Sequence, residues 1–195
     1  MFKGTVTSIH ITAEKGGDIL DRDSVRAVTG KGLEGDRNFD NGKPHRAVTL
    51  IERESIDALA RDYNVTLKPA DSRRNLVTVG VPLNHLVGQE FTVGGVRMRG
   101  TELCEPCNYL AGKTESKVLP GVIHRGGLRA EVLSEGDIQV GDIIELKPGE
   151  KVVIDGEVTW GQGSFDESSL TGESDPIYKK QNDTILSGSL CLDSV

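Results

Sequence analysis

Short runs of β-branched residues, cut by glycine-rich turns, recur along this chain, and only one segment carries a helical period. That pattern argues against a helical bundle or alternating βαβ units and predicts a mainly β fold, a barrel or a sandwich. Phe2 to Thr12 reads as a strand through Thr5, Val6, Thr7, Ile9, Ile11 and Thr12. Further strands are expected at Ser24–Val28, Ala47–Ile51 and Leu76–Val79. Gln89–Val93 and Val96–Thr101 flank Gly94-Gly95, a hairpin signal. Gly126–Leu133 and Ile138–Leu146 read as a strand pair joined near Ser134–Asp137. The helix is expected at Glu52–Tyr63, where Ile56, Leu59, Ala60 and Tyr63 share one face. Between Gly30 and Pro44, glycine, aspartate and asparagine are too frequent for either regular element, which predicts a long loop.

Charge divides the chain. The net charge is −7, and residues 147–195 hold nine acidic and four basic side chains, so residues 1–146 carry only −2. An acidic chain of this kind argues against sequence-independent nucleic-acid binding. No stretch is apolar enough to insert in a membrane. The start, Met1-Phe2-Lys3-Gly4, does not read as a secretory leader, and three cysteines are too few for a disulfide framework. A reducing, cytoplasmic setting is the expectation.

The densest chemistry lies in Leu103-Cys104-Glu105-Pro106-Cys107. Two thiols at this spacing can bind a metal, exchange as a disulfide, or supply one nucleophile and one bystander. A zinc site needs about four ligands. The other candidates, His10, His45, His85, His124 and Cys191, do not repeat the pair spacing. A redox pair of the thioredoxin kind needs a βαβ setting that is not predicted here. Two half-buried, inert cysteines remain a further possibility. One activated thiolate is the favoured reading, and it needs basic neighbours, for which Arg73, Arg74, His124 and Arg125 are candidates.

Several segments, in order, resemble MOSC domains. Gly32-Leu33-Glu34-Gly35-Asp36-Arg37 is similar to the family's Gly-rich acidic loop, and Arg74–Asn84 to its Arg-Asn segment. Leu86–Gly94, Cys104–Cys107, His124–Ala130 and Ile138–Asp142 follow where the family places its next strand, its reactive cysteine and its closing strands. The resemblance covers residues 1–146 and implies a MOSC-type β-barrel with one or two short helices. It implies that Cys107 carries a persulfide or ligates the molybdenum of a bound molybdenum cofactor. The chain would then be a molybdenum-cofactor-dependent oxidoreductase or a sulfur transferase. A pyridoxal phosphate-linked cysteine desulfurase, a molybdoenzyme or a small-molecule substrate are the partners it suggests. The cofactor is anionic, so guanidinium groups are the expected binders. Arg74 and Asn75 are the first candidates, followed by Arg73, Arg37 and Arg125. Asp36 is expected to hold the Gly-rich loop through an Asx turn.

Residues 147–195 resemble something else. Pro148–Val158 and Asp166-Glu167-Ser168-Ser169-Leu170-Thr171-Gly172-Glu173-Ser174-Asp175-Pro176 are similar to the actuator domain of heavy-metal P-type ATPases. In such pumps the glutamate matching Glu173 helps position water for aspartyl-phosphate hydrolysis. This chain has no Asp-Lys-Thr-Gly motif, so here the segment reads as a partial β-rich actuator-like tail with a solvated acidic loop. Val152–Ile154 and Glu157–Thr159 flank Asp155-Gly156, a second hairpin signal. The expected boundary is Pro148-Gly149. A pump fragment and a zinc-binding structural module are the alternatives to a MOSC protein.

Overall fold

Along the first strand, β1 (Lys3–Ile11), the apolar residues change phase: Val6 and Ile9 both point into the core although they are three residues apart. The cause is a bulge. Pairing with β6 (Leu76–Val79) shifts register between Val6 and Ser8, and one extra residue moves every later side chain to the opposite face. Ile9 and Ile11 therefore enter the interior, while Ser8 and His10 share the outer face.

A computed structural model of the chain describes residues 3–106, 110, 112, 114, 117–145, 151, 152, 155–158 and 161–193. The strands β1, β5 (Val48–Glu52), β6, β7 (Glu90–Val93), β8 (Val96–Leu103), β9 (Leu128–Val132) and β11 (Ile143–Glu145) form a seven-strand barrel. Around it the order is β1-β6-β5-β9-β8-β7-β11, and Thr5 facing Ile143 closes the ring. β2 (Leu20–Arg22) pairs with the far half of β1. Leu50, Leu76, Phe91, Met98 and Leu128 fill the interior and are fully buried. Each such side chain contributes roughly 1.5–3 kcal/mol by leaving water. β3 (Ser24–Val28), β4 (Gly32–Leu33) and β10 (Gly136–Gln139) form a small sheet. Its Val25, Ala27, Leu33 and Ile138 join the same core.

β5 and β6 are the parallel pair of the barrel. Parallel neighbours need a crossover, and the predicted helix supplies it as α1 (Arg53–Tyr63). Its buried stripe, Ile56 and Leu59, packs on Ile51 and Val77, the outward residues of β5 and β6. Asn64 ends the helix in the left-handed conformation, a role asparagine tolerates better than most residues. A helical turn at Val118–Gly121 completes this second cluster through Val118.

The mainly β expectation holds, and two pairings differ from it. β9 does not pair with the strands that follow it. It lies between β5 and β8, while β10 joins β3 and β11 joins β1 and β7. Gly156, expected in a hairpin turn, is a strand residue, while residues 153, 154 and 159 of that hairpin lie outside the described residues. β12 (Gly156–Glu157) pairs with β15 (Thr184–Ile185), and Lys151 bridges Leu190. In this C-terminal part, β13 (Gln162–Asp166) lies between β14 (Ile177–Lys180) and β16 (Leu190–Cys191). Val152, Val158, Phe165, Ile185 and Cys191 form its own small apolar cluster.

Two measurements test this packing. Phe91→Ala should lower unfolding free energy in urea by about 3–5 kcal/mol, the cost of an unfilled aromatic site. Glu52, at the end of β5, accepts the Leu83 N–H at 2.8 Å. Burial nevertheless pushes its pKa above the ordinary carboxylate value, and Glu54 adds repulsion. The folded state holds this proton more tightly than the unfolded chain. Its contribution is therefore lost as pH rises from the ordinary value through the raised one. In Glu52→Gln that loss is removed, so the urea midpoint should gain on the wild type as pH rises above about 4, the ordinary carboxylate value.

Candidate functional site

The bulge in β1 turns His10 toward one end of the barrel, where the segments singled out in the sequence converge. Asn75, at the entry to β6, is the hub. Its Oδ1 accepts from the Thr49 N–H at 3.0 Å and the Thr49 hydroxyl at 2.9 Å. Its Nδ2 donates to the His10 carbonyl at 3.1 Å and to Asp36 at 3.0 Å. Asp36 also accepts the Thr12 and Asn38 N–H groups. The second of these is the Asx turn expected of the Gly-rich loop. Both donors and the acceptor of the Asn75 amide are thus engaged inside the protein. Asn75 shapes the site rather than offering it an unspent donor.

Arg74 is 9% exposed. Its Nε donates to the Gly126 carbonyl at 2.8 Å, Nη1 to Ser72 at 3.2 Å and Nη2 to Cys104 at 3.1 Å. All three partners are backbone carbonyls, and among the described residues no carboxylate forms an ion pair with it. A buried cation ordinarily has a counter-charge. Here carbonyl dipoles do part of that work.

The same guanidinium fixes the cysteine loop. The Cys104 carbonyl takes Nη2 of Arg74, and the Cys104 N–H donates to Gly127 at 2.7 Å. The next residue, Glu105, accepts the His124 N–H at 3.0 Å and its ring Nδ1 at 2.9 Å. These bonds, the backbone one foremost, hold the Glu105 carboxyl below its ordinary pKa. Two glycines let the loop lie so close. A Cβ on Gly126 would stand 2.5 Å from the Cys104 carbonyl oxygen, and one on Gly127 would stand 2.0 Å from that of Leu50.

A cavity of roughly 120 Å³ opens among these groups. Arg37, Arg73, Arg74 and Arg129 line it, as do Asp36, Glu105, His10 and Cys104. The four arginines outnumber the two carboxylates, so the cavity is cationic. His10 is 5% exposed, with Nδ1 2.7 Å from Asp21 and Nε2 2.9 Å from the Ser8 hydroxyl. The carboxylate only accepts, so Nδ1 donates to it.

Of the residues expected from sequence, Arg37, Arg73, Arg74 and Asn75 come together at this cavity. Arg125 does not line it; its guanidinium reaches the Gly121 carbonyl and Asp62. Cys107 lies outside the described residues, and Cys104 is the described cysteine on the wall. Sequence reading weighed His10 only as a metal ligand and did not single out Thr49 or Arg129. Each sits in an ordinary strand pattern, and only the pairing of those strands brings it here. Among the described residues, no three His, Cys, Asp or Glu side chains are grouped to hold a metal.

Arg74→Lys replaces a planar fork by a single ammonium that cannot meet three diverging carbonyls. Leaving two of them unpaired should cost about 2–4 kcal/mol in urea unfolding. The Cys104 thiol, 4% exposed in the wild type, should then react measurably faster with an aromatic disulfide.

The MOSC domain pattern matches residues 38–145, and the P-type ATPase actuator domain pattern matches residues 115–195. Where the two overlap, β9 and β11 are barrel strands. The YuaD protein of Bacillus subtilis superposes with a TM-score of 0.62 at 19% identity, over 74% of this chain and 97% of that one. YiiM of Geobacillus stearothermophilus gives 0.56 at 18% identity, over 75% and 76%. These likenesses show the fold. A probable copper-exporting P-type ATPase V of Mycobacterium tuberculosis is 36% identical over 88 residues, 41% of this chain and 11% of the pump. The zinc-transporting ATPase of Bacillus subtilis is 50% identical over 54 residues, 28% and 8%. The chain therefore spans about a tenth of the length of the curated pumps it matches. Matched by the family pattern over more than half of its 195 residues and built on the corresponding barrel, the chain belongs to the MOSC domain family.

Proposed function

We propose that this chain is a sulfur-handling MOSC protein, in which a cysteine of the Cys104–Cys107 loop works beside an anion held by arginines. The observation that carries this reading is Arg74. It is a buried guanidinium with no carboxylate partner among the described residues, it lines the cavity, and it is bonded to the residue whose thiol shares that wall. A cationic setting favours the thiolate over the thiol and therefore favours both nucleophilic attack and soft-metal ligation. Cys107 is the reactive residue in this reading, as persulfide carrier or as molybdenum ligand, and Cys104 is the anchor whose backbone is clamped on both sides.

The donor set fits the anionic end of a molybdenum cofactor. Arg37, Arg73 and Arg74 would hold it, with Asn75 and Asp36 fixing their loops. A cavity of roughly 120 Å³ is smaller than the ~300 Å³ or more of pockets that enclose a whole drug-sized ligand. Such a cofactor would place only its anionic group there. When bound it would supply a redox-active metal. The protein's own part is to orient the anion, keep the thiol ionised and limit water. Arg125 has no part in this reading, since it ties the Val118–Gly121 turn to Asp62.

A cysteine desulfurase or a molybdoenzyme is the partner class this chemistry calls for, and a small molecule the substrate class. A reducing cytoplasm suits the thiol. No helix among the described residues is long and apolar enough to cross a membrane. We also propose that residues 1–146 and 147–195 are separate modules, supported by the separate apolar cluster of the C-terminal part.

Exposure of the whole chain to a cysteine desulfurase and free cysteine, followed by mass spectrometry, tests the first proposal. One added sulfur on Cys107, abolished in Cys107→Ala and retained in Cys104→Ser, is the expected result. Molybdenum content, measured on the same samples, separates the carrier from the cofactor-binding form. Neither added sulfur nor molybdenum in the wild type would remove the reading. Limited proteolysis tests the second proposal. Cleavage between residues 146 and 157 should leave a resistant N-terminal fragment.

A further inference from the structure

The cationic cavity has a neighbour. It adjoins a second, shallower concavity of roughly 510 Å³, and the two share Arg73 and Ile19. The outer one is lined by Asp18, Asp21 and Asp71, with Arg73 its single basic residue. The sign of the charge thus reverses across Arg73. Asp21 is engaged by His10 at 2.7 Å. Asp18 and Asp71 are exposed, and neither has an ion-pair partner among the described residues.

The backbone holds this arrangement in place. Arg73 has a left-handed conformation, φ +56°, at the end of the Ala70–Ser72 turn. Its Nη2 donates to the Gly17 carbonyl at 3.2 Å. That bond ties the Ala70–Ser72 turn, which carries Asp71, to the Gly16-Gly17 turn beside Asp18. The two acidic turns therefore line the same outer concavity and are tied together by the guanidinium that it shares with the inner cavity.

We infer that this cleft selects a small zwitterion, with its oxyanion in the inner cavity and a protonated nitrogen among Asp18, Asp71 and Arg73's neighbours in the outer one. This rests on the anion-binding reading of the inner cavity given above. A simple anion held at the arginines lies beside carboxylates that repel it. A ligand carrying a positive group one short chain away turns that repulsion into attraction. The inner group is worth most because it is desolvated, whereas the outer contact is screened and adjusts preference rather than deciding binding.

Titration calorimetry at low ionic strength, with propyl phosphate and 3-aminopropyl phosphate as probes, tests this on the full chain. The amino ester should bind the wild type about three- to tenfold more tightly, the size expected of two partly exposed ion pairs. In the Asp18→Asn, Asp71→Asn double variant the ratio should fall to near one, while propyl phosphate itself binds more tightly because two repelling charges are gone. Equal affinities in the wild type, or a preference that survives in the double variant, would overturn the zwitterion inference and leave the anion cavity standing. Binding of neither ester would overturn both.

Discussion

Closure of the barrel depends on how β1 divides its hydrogen bonds. One edge of the strand serves β11 near Thr5 and β2 near Ile9, and the other edge serves β6 throughout. A strand can turn from one partner to another only if it bends, and the bulge between Val6 and Ser8 supplies the bend. The same extra residue places Ile9 in the core and His10 on the wall of the cavity. Sheet closure and site construction are thus consequences of one local irregularity.

Around that frame the polar groups are arranged so that no buried side-chain nitrogen or oxygen among the described residues lacks a partner. Asn75 joins β1, β5 and the Gly-rich loop. Arg74 joins the β6 entry, the cysteine loop and the Gly126-Gly127 turn. Neighbours in sequence, these two residues divide the work. The amide is fully spent on structure, and the guanidinium keeps a face on the cavity. A partly satisfied network would be worse than an apolar one at this depth. The glycines at 126 and 127 belong to the same design: a Cβ on Gly126 would meet the Cys104 carbonyl that Arg74 clamps, and one on Gly127 would meet the Leu50 carbonyl of β5.

The C-terminal part follows a different logic. Its apolar cluster is small, and its strands pair among themselves. The Thr171-Gly172-Glu173-Ser174 motif is an exposed turn. Gly172 is left-handed at the end of a helical turn, and the Glu173 N–H donates to the Thr171 hydroxyl at 3.3 Å. Glu167, by contrast, is 3% exposed and pairs with Lys179 at 3.2 Å. Two acids of one signature therefore do different things. One stabilises the local fold, and the other is presented to solvent.

Features whose cause is local were legible in the sequence. The helix at Arg53–Tyr63 follows from its period, the β7–β8 hairpin from Gly94-Gly95, and the Asx turn at Asp36 from its loop chemistry. The Arg-Asn and Cys-x-x-Cys segments also marked the region of the site. What the sequence did not determine was which distant strands meet. Expected neighbours β9 and β10 lie in different sheets, and Gly156, expected in a turn, pairs with the distant Ile185. The cavity's composition has the same origin: His10, Thr49 and Arg129 come from three strands with ordinary patterns. Periodicity and turn chemistry act over a few residues, whereas strand partners are chosen by burial and closure across the whole barrel, and only that choice sets which charges face one another.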